Sequence, residues 1–364
     1  MPQGILLKLV QEHLDAYCER KRQELNAISD DLIPLIDYTQ ELLEGGKRFR
    51  AQFAYWSYAG YQTTAIDEIS ADHPIIAVAS ALEMFHAAAL VHDDLLDQSD
   101  TRRGKPAIHK RFESLHSTSG YLGSPERFGV AGSVLVGDLM LSWSSELFGE
   151  ALLHSTSESI EAACRNEFSK MRFEVMAGQY LDVLEENAAA VRPKSEAVAR
   201  ANKVMLYKTA KYSLEAPLLI GSALGGANSS ERRLLSEFGI PLGLAYQLRD
   251  DLLGVFGDPG VTGKPAGDDL REGKRTVLVG LTLEALPANL ARTFEELLTS
   301  GDLDLEQIDL MRQMIEESGA LVKTERLIDQ YSERAIQALA NLEISDEGRK
   351  ELAYLTEAVI KRSK

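Results

Sequence analysis

Pro74-Ile75-Ile76-Ala77-Val78-Ala79-Ser80-Ala81-Leu82-Glu83-Met84-Phe85-His86-Ala87-Ala88-Ala89-Leu90-Val91-His92-Asp93-Asp94-Leu95-Leu96-Asp97 is the stretch on which the fold turns. It predicts a helix over 75–98 that is apolar on every face, and such a helix belongs in the centre of a large protein. Its end is acidic, and Asp93 and Asp97, one turn apart, project from the same side. Three aspartates alone are also the ordinary end of a solvated helix, so the context decides. Carboxylates at the end of a buried helix open into a cavity, where they require partners or metal ions. Arg102 and Arg103 follow, then Gly104 and Pro106, a rigid turn that presents two guanidiniums. Guanidinium suits bidentate phosphate binding, and clustered carboxylates suit hard divalent cations that bridge to a phosphorylated ligand.

Other motifs extend this chemistry. Gly45-Gly46-Lys47-Arg48-Phe49-Arg50 is a second basic cluster. If a helix begins at Lys47, then Lys47 and Arg50 share a face and free backbone N–H groups at its start meet phosphate oxygens. An ordinary basic turn reads the same way. His86 lies two turns below Asp93. Tyr246-Gln247-Leu248-Arg249-Asp250-Asp251 is a second acidic segment, with Gln247 and Asp250 one turn apart. Gly254 stands where an Asp-Asp-x-x-Asp pattern would have its last carboxylate. Lys264, Asp268, Asp269 and Lys274 follow in a polar loop over 257–274, a candidate mobile lid. Gly263-Lys264 is no phosphate-binding P-loop, because Pro265 replaces Ser or Thr and no strand precedes it. Gln179 and Asp182, one turn apart, and Lys208-Thr209 complete the candidate set.

The 364 residues are 45% hydrophobic and 7% aromatic, which favours a helical protein with a large core. A formal net charge of −17 disfavours nucleic acid and anionic membrane surfaces. Two cysteines, Cys18 and Cys164, exclude a disulfide scaffold and fit a reducing cytoplasm. No signal peptide and no apolar run of spanning length is read, so no transmembrane segment is expected. Helices are predicted near 4–28, 75–98, 130–155, 158–187, 194–212, 213–226, 230–256 and 275–299, with about three more from 305. Residues 114–129, rich in Ser and Gly, read as a surface loop. Almost no strand is expected, and no linker divides the chain.

Taken in order, these motifs resemble the trans-isoprenyl diphosphate synthases, the polyprenyl synthetase family, from Gly45 to about Thr276. Stretches such as Phe85–Asp94 and Thr262-Gly263-Lys264-Pro265-Ala266-Gly267 are most similar to the actinobacterial geranylgeranyl diphosphate synthases. The resemblance implies one all-α domain over 1–364, a helical bundle around a deep central cavity with both acidic motifs at its mouth, and a homodimer. It implies that Lys47, Arg50, His86 and Arg103 bind isopentenyl diphosphate, and that Arg102, Lys208, Lys264 and Lys274 bind the allylic diphosphate (dimethylallyl, geranyl or farnesyl). It further implies that Asp93, Asp94, Asp97 and Asp250 ligate Mg²⁺, three ions per site. Thr209 and Gln247 would line the developing carbocation, and Gln179 with Asp182 would support the metal shell. The missing carboxylate at Gly254 departs from the pattern.

Product length is expected to be set on the central helix. At ~1.5 Å rise per residue, Ala89, Ala88 and Phe85 lie ~6, ~7.5 and ~12 Å below Asp93. An isoprene unit spans roughly 5 Å. Small residues at 88 and 89 let the tail pass and Phe85 obstructs it, which favours a C20 product over farnesyl or longer chains. A class I terpene cyclase is a rival, but it has no need of the second diphosphate site at Lys47, Arg50 and Arg103. A non-catalytic partner subunit is another, and the intact first motif argues against it.

Overall fold

The computed structural model describes residues 2–153, 157–257, 267–301 and 303–361. Among these, regular structure is helical apart from two antiparallel two-residue strands, Thr101–Arg102 and Lys105–Pro106. The chain divides into two compact units, residues 1–164 with 221–226 and residues 165–220 with 227–364.

The first unit is built around α4 (Pro74–Leu96). Helices α1 (Pro2–Asn26), α2 (Ile33–Leu43), α3 (Phe49–Ala59), α5 (Ile108–Thr118) and α6 (Pro125–Leu152) surround it. Every α4 residue from Ile75 to Phe85 is buried, as the all-round apolar sequence requires. The Ser144 hydroxyl of α6 donates to the Ala81 carbonyl at 2.7 Å, tying the two longest apolar helices together. Three helices lie outside the predicted ranges, α3 being one of the two alternatives for the Lys47–Arg50 cluster. α2 opens on Ile33-Pro34, and proline is accommodated in a first turn, where its missing N–H costs nothing. α3 is buried along almost its whole length and has no polar face to reveal its period. α5 runs into the segment read as loop. Its Ser117 and Thr118 hydroxyls donate back to Glu113 and Ser114 carbonyls at 2.9 Å, so residues that signal loops lie inside a helix. Only 119–124 connects α5 to α6, and α6 begins where Ser124 accepts the Arg127 N–H.

The second unit centres on α10 (Ser229–Phe256), entered through a capping box formed by Asn228 and Glu231. It packs on Ala320–Ala340 and on a π-helical segment, Met205–Glu215, which continues α8 (Ala197–Val204) and runs into α9 (Ala216–Leu224). The break expected near 212 is absent. Pro217 enters a helix whose preceding turns are widened to i→i+5 bonding, which leaves room for its ring. The single helix expected over 275–299 is two, Val277–Ala285 and Ala288–Leu298, parted at Pro287. Among its described residues the polar stretch 257–274 holds the short helix Asp268–Arg271. Residues 258–266 of the expected lid lie outside the described residues.

The expectation about membrane-spanning length also needs correction. Pro74–Leu96 and Pro125–Leu152 are long and apolar enough, by length and composition, to cross a membrane. The most apolar window of the first is 72% buried within the protein, as befits a core helix.

Candidate active site

On α4 the burial pattern changes at His86. Phe85, Ala87, Ala88, Val91 and Asp94 remain buried, whereas His86, Ala89, Leu90, Asp93 and Asp97 are partly accessible. These recur at i, i+3/i+4, i+7 and i+11, a single stripe along the helix. From Ile75 to Val91 the enclosed helix therefore opens one face, which begins at a histidine and runs on to Asp93 and Asp97; beyond Val91, His92, Leu95 and Leu96 are accessible as well, so the last turns open on other sides too. Leu90 belongs to it, and only the tertiary burial reveals that. Asp97 closes the helix, its N–H bonded to the Asp93 carbonyl at 2.8 Å.

The two short strands beyond form a hairpin whose central residues, Arg103 (φ 52°) and Gly104 (φ 75°), are both left-handed. That geometry belongs to a two-residue turn favouring Asn or Gly, so an arginine there is held under backbone strain. Arg102 points back at the acidic end. Its Nε donates to Asp94 Oδ1 at 2.8 Å, a terminal nitrogen also bonds that oxygen, and Asp93 lies 3.8 Å away. The exposed Arg103 reaches the other basic cluster instead. Its Nη1 donates to the Glu44 carbonyl at 3.3 Å, and its guanidinium lies against Gly46.

That cluster differs from expectation in one respect. The helix starts at Phe49, not Lys47, because Arg48 takes a left-handed conformation (φ 49°) as the residue before it. Lys47 thus stands exposed outside the helix, and Arg50 lies in its first turn. Arg48 has no capping side chain to offer. The buried Glu83 of α4 accepts the Ala51 N–H at 3.1 Å in its place. Burial pushes the Glu83 carboxyl above the usual range, against the pull of Arg50, Arg48 and Arg103. Burial, reinforced by Arg50, Arg103 and Arg102, holds His86 well below the ordinary imidazole value. His86 is therefore neutral at pH 7, and the positive charge of this corner resides in arginine and lysine. Glu83 had no signal in the sequence beyond being an acid inside an apolar run.

In the second unit, α7 (Glu158–Ala188) approaches the π-helical segment so closely that a Cβ on Gly178 would strike the Lys208 backbone. One turn on, Asp182 meets Lys208 Nζ at 2.6 Å. Gln179 and Thr209 are half-buried nearby in sequence on the same two elements. On α10, Gln247 donates to Asp251 Oδ1 at 2.7 Å. Asp251 is buried and Asp250 exposed. Burial, then the adjacent charge of Asp269, raises the Asp251 carboxyl well above the usual range. Lys274 Nζ lies 2.5 Å from Glu272 and 3.6 Å from Asp269. Lys264 lies outside the described residues.

Among the described residues, no three His, Cys, Asp or Glu side chains converge as a ready metal cage. The donors present are carboxylate oxygens in ones and twos. That set fits Mg²⁺, which keeps water and takes one or two carboxylates together with substrate phosphate oxygens.

The polyprenyl synthetase profile matches residues 34–316. A geranylgeranyl diphosphate synthase of Sulfolobus acidocaldarius is 30% identical over 78% of this chain and 79% of its own. A (2E,6E)-farnesyl diphosphate synthase of Mycobacterium bovis is 30% identical over 80% of this chain and 74% of its own. Among solved structures, a geranylgeranyl pyrophosphate synthase from Corynebacterium glutamicum, complexed with isoprenyl diphosphate and magnesium, superposes with a TM-score of 0.90. It is 33% identical, with 98% of this chain and 99% of that chain covered.

Proposed function

Because this chain belongs to the polyprenyl synthetase family, we propose that it is a Mg²⁺-dependent trans-prenyltransferase that extends an allylic diphosphate with isopentenyl diphosphate to all-trans geranylgeranyl diphosphate. The observation that carries this reading is the open stripe on α4. It carries His86, Ala89 and Leu90 below Asp93 and Asp97, within reach of the charges of Arg50, Arg103 and Arg102.

Lys47, Arg50, Arg103 and neutral His86 hold the isopentenyl diphosphate. Arg102, Lys208, Lys264 and Lys274 take the allylic diphosphate, with Lys208 aimed by Asp182. Asp93, Asp94, Asp97 and Asp250 would hold the magnesium, three ions in all, and Gln179 with Asp182 would brace that shell. Bound magnesium neutralises the leaving diphosphate and so lowers the barrier to breaking the allylic C–O bond. The bond pair leaves with the diphosphate. The isopentenyl double bond then attacks the allylic cation, which the oxygen dipoles of Thr209 and Gln247 stabilise. A proton is lost to an oxygen of the departing diphosphate. Water must be excluded throughout, or it would quench the cation.

The family match runs from 34 to 316 through both units and supports one all-α polyprenyl synthetase domain over 1–364. Large exposed apolar side chains support a homodimer: Val130, Val134 and Leu135 on α6, and Phe173, Met176 and Tyr180 on α7. Both cysteines are free and buried, in keeping with a cytoplasmic protein.

The deciding experiment is a Mg²⁺-dependent assay with isopentenyl and farnesyl diphosphates, with products separated by chromatography. A C20 diphosphate is expected. A cyclised hydrocarbon, or no product with any allylic primer, would overturn the reading.

A further inference from the structure

The second acidic segment, Asp250-Asp251-Leu252-Leu253-Gly254, lacks a carboxylate at its fifth position. Gly254 follows Asp250 by four residues and therefore lies on the same face of α10. That place is not vacant. A Cβ built on Gly254 would fall inside the carboxyl group of Asp269, with Oδ1 2.9 Å away and both Cγ and Oδ2 nearer still. Asp269 comes from the short helix Asp268–Arg271, which Gly267 opens in a left-handed conformation (φ 74°). The Asp269 carbonyl accepts the Lys274 N–H at 3.0 Å, and its carboxylate lies 3.6 Å from Lys274 Nζ.

We propose that Asp269 supplies the third carboxylate of the second acidic motif from a different helix, and that Gly254 leaves the room it occupies. With the Asp269 side chain as it stands, a Cβ at 254 would overlap its carboxyl, so an aspartate there requires that carboxyl to turn aside. The carboxylate count that the sequence pattern lacks is thereby restored in space. The arrangement adds one element: a carboxylate carried on the segment that also carries Lys274 links the cation-binding face of α10 to a diphosphate-binding lysine. Asp269 is a positioning residue in this account, and its role rests on the reading of Asp250 as part of a Mg²⁺–diphosphate site.

The test is a cycle of Gly254→Asp, Asp269→Gly and the double variant, with Asp269→Asn to remove charge while keeping shape. Two quantities are measured without turnover. One is the unfolding temperature in chelator. The other is the Mg²⁺ concentration that gives half of the thermal shift seen with inorganic pyrophosphate. Asp269→Asn and Asp269→Gly should each raise the Mg²⁺ midpoint by about tenfold, the loss expected for a supporting carboxylate. Gly254→Asp alone should lower the unfolding temperature in chelator. The double variant should recover both the unfolding temperature and a midpoint within about threefold of the original, because the carboxylate has changed helix but not place. An unchanged midpoint in Asp269→Asn, or a double variant no better than Asp269→Gly, would overturn the proposal while wild-type protein still responds to Mg²⁺ and pyrophosphate. No response in the wild type would instead remove the functional reading, and this inference with it.

Discussion

At the scale of single residues, the roles are separated by charge and burial. Asp93 is partly accessible and Asp250 exposed, so alanine at either leaves the core intact. Each substitution should lower kcat by about a hundredfold to a thousandfold, the range for removing one stabiliser of developing charge. Unchanged turnover in both would sink the metal assignment. Lys47→Ala should raise the KM for isopentenyl diphosphate more than that for the allylic partner, and equal effects on both would count against its site. His86 makes a pH prediction. Its folded value is depressed by burial and by Arg50, Arg103 and Arg102, while the unfolded imidazole titrates near 6.5. Between the folded value and 6.5 the unfolded chain binds more protons, so stability contributed by neutral His86 is complete above 6.5 and is lost as pH falls below it. Replacing His86 by Gln should therefore shrink the drop in unfolding temperature between about pH 7.5 and about pH 5.5. An identical drop would show that the group does not titrate as its surroundings require.

At the scale of elements, α4 has two duties. It caps α3 through Glu83, and it presents the open stripe. Glu83→Ala leaves the buried Ala51 N–H without its acceptor and should cost about 1–3 kcal/mol of stability. Glu83→Gln keeps an acceptor oxygen and should cost less, and the reverse order in chemical denaturation would refute the capping role. The stripe also refines the chain-length expectation. Ala88 has no accessible surface, so a phenylalanine there would overpack the core before it met any substrate. Ala89, one turn below Asp93 on the open face, is the position at which bulk should shorten the product. Ala89→Phe should shift products from C20 toward C15 or C10, and Phe85→Ala should lengthen them. A product profile unmoved by both would mean that this helix does not measure the chain.

At the scale of the whole molecule, the large exposed apolar side chains on α6 and α7 call for cover. Sedimentation should give twice the mass of one chain, and a single-chain mass at micromolar concentration would end the homodimer proposal. The net charge of −17 leaves the basic clusters as the places where a diphosphate can approach. Association of substrate should accordingly weaken with rising salt.

What the sequence determined by itself was the helical class and the position of α4, because a run apolar on every face has no stable place except a core. It also determined the candidate chemistry, because carboxylates, guanidiniums and lysines at helical spacing have few uses together. α3 and α5 were hidden. One is buried too completely to show a period, and the other is lined with Ser and Thr whose hydroxyls bond their own helix. The starting point of α3 was decided by Arg48, whose left-handed backbone is held by its surroundings rather than favoured by its side chain. Only the tertiary structure decided that Arg102 turns to the aspartates while Arg103 turns to the Gly46 loop, since adjacent residues in a tight hairpin are aimed by the turn and not by their identity. It decided likewise that Asp269 fills the place beside Gly254. A side chain and a glycine fifteen residues apart in sequence are brought together by packing between elements, which no local pattern encodes.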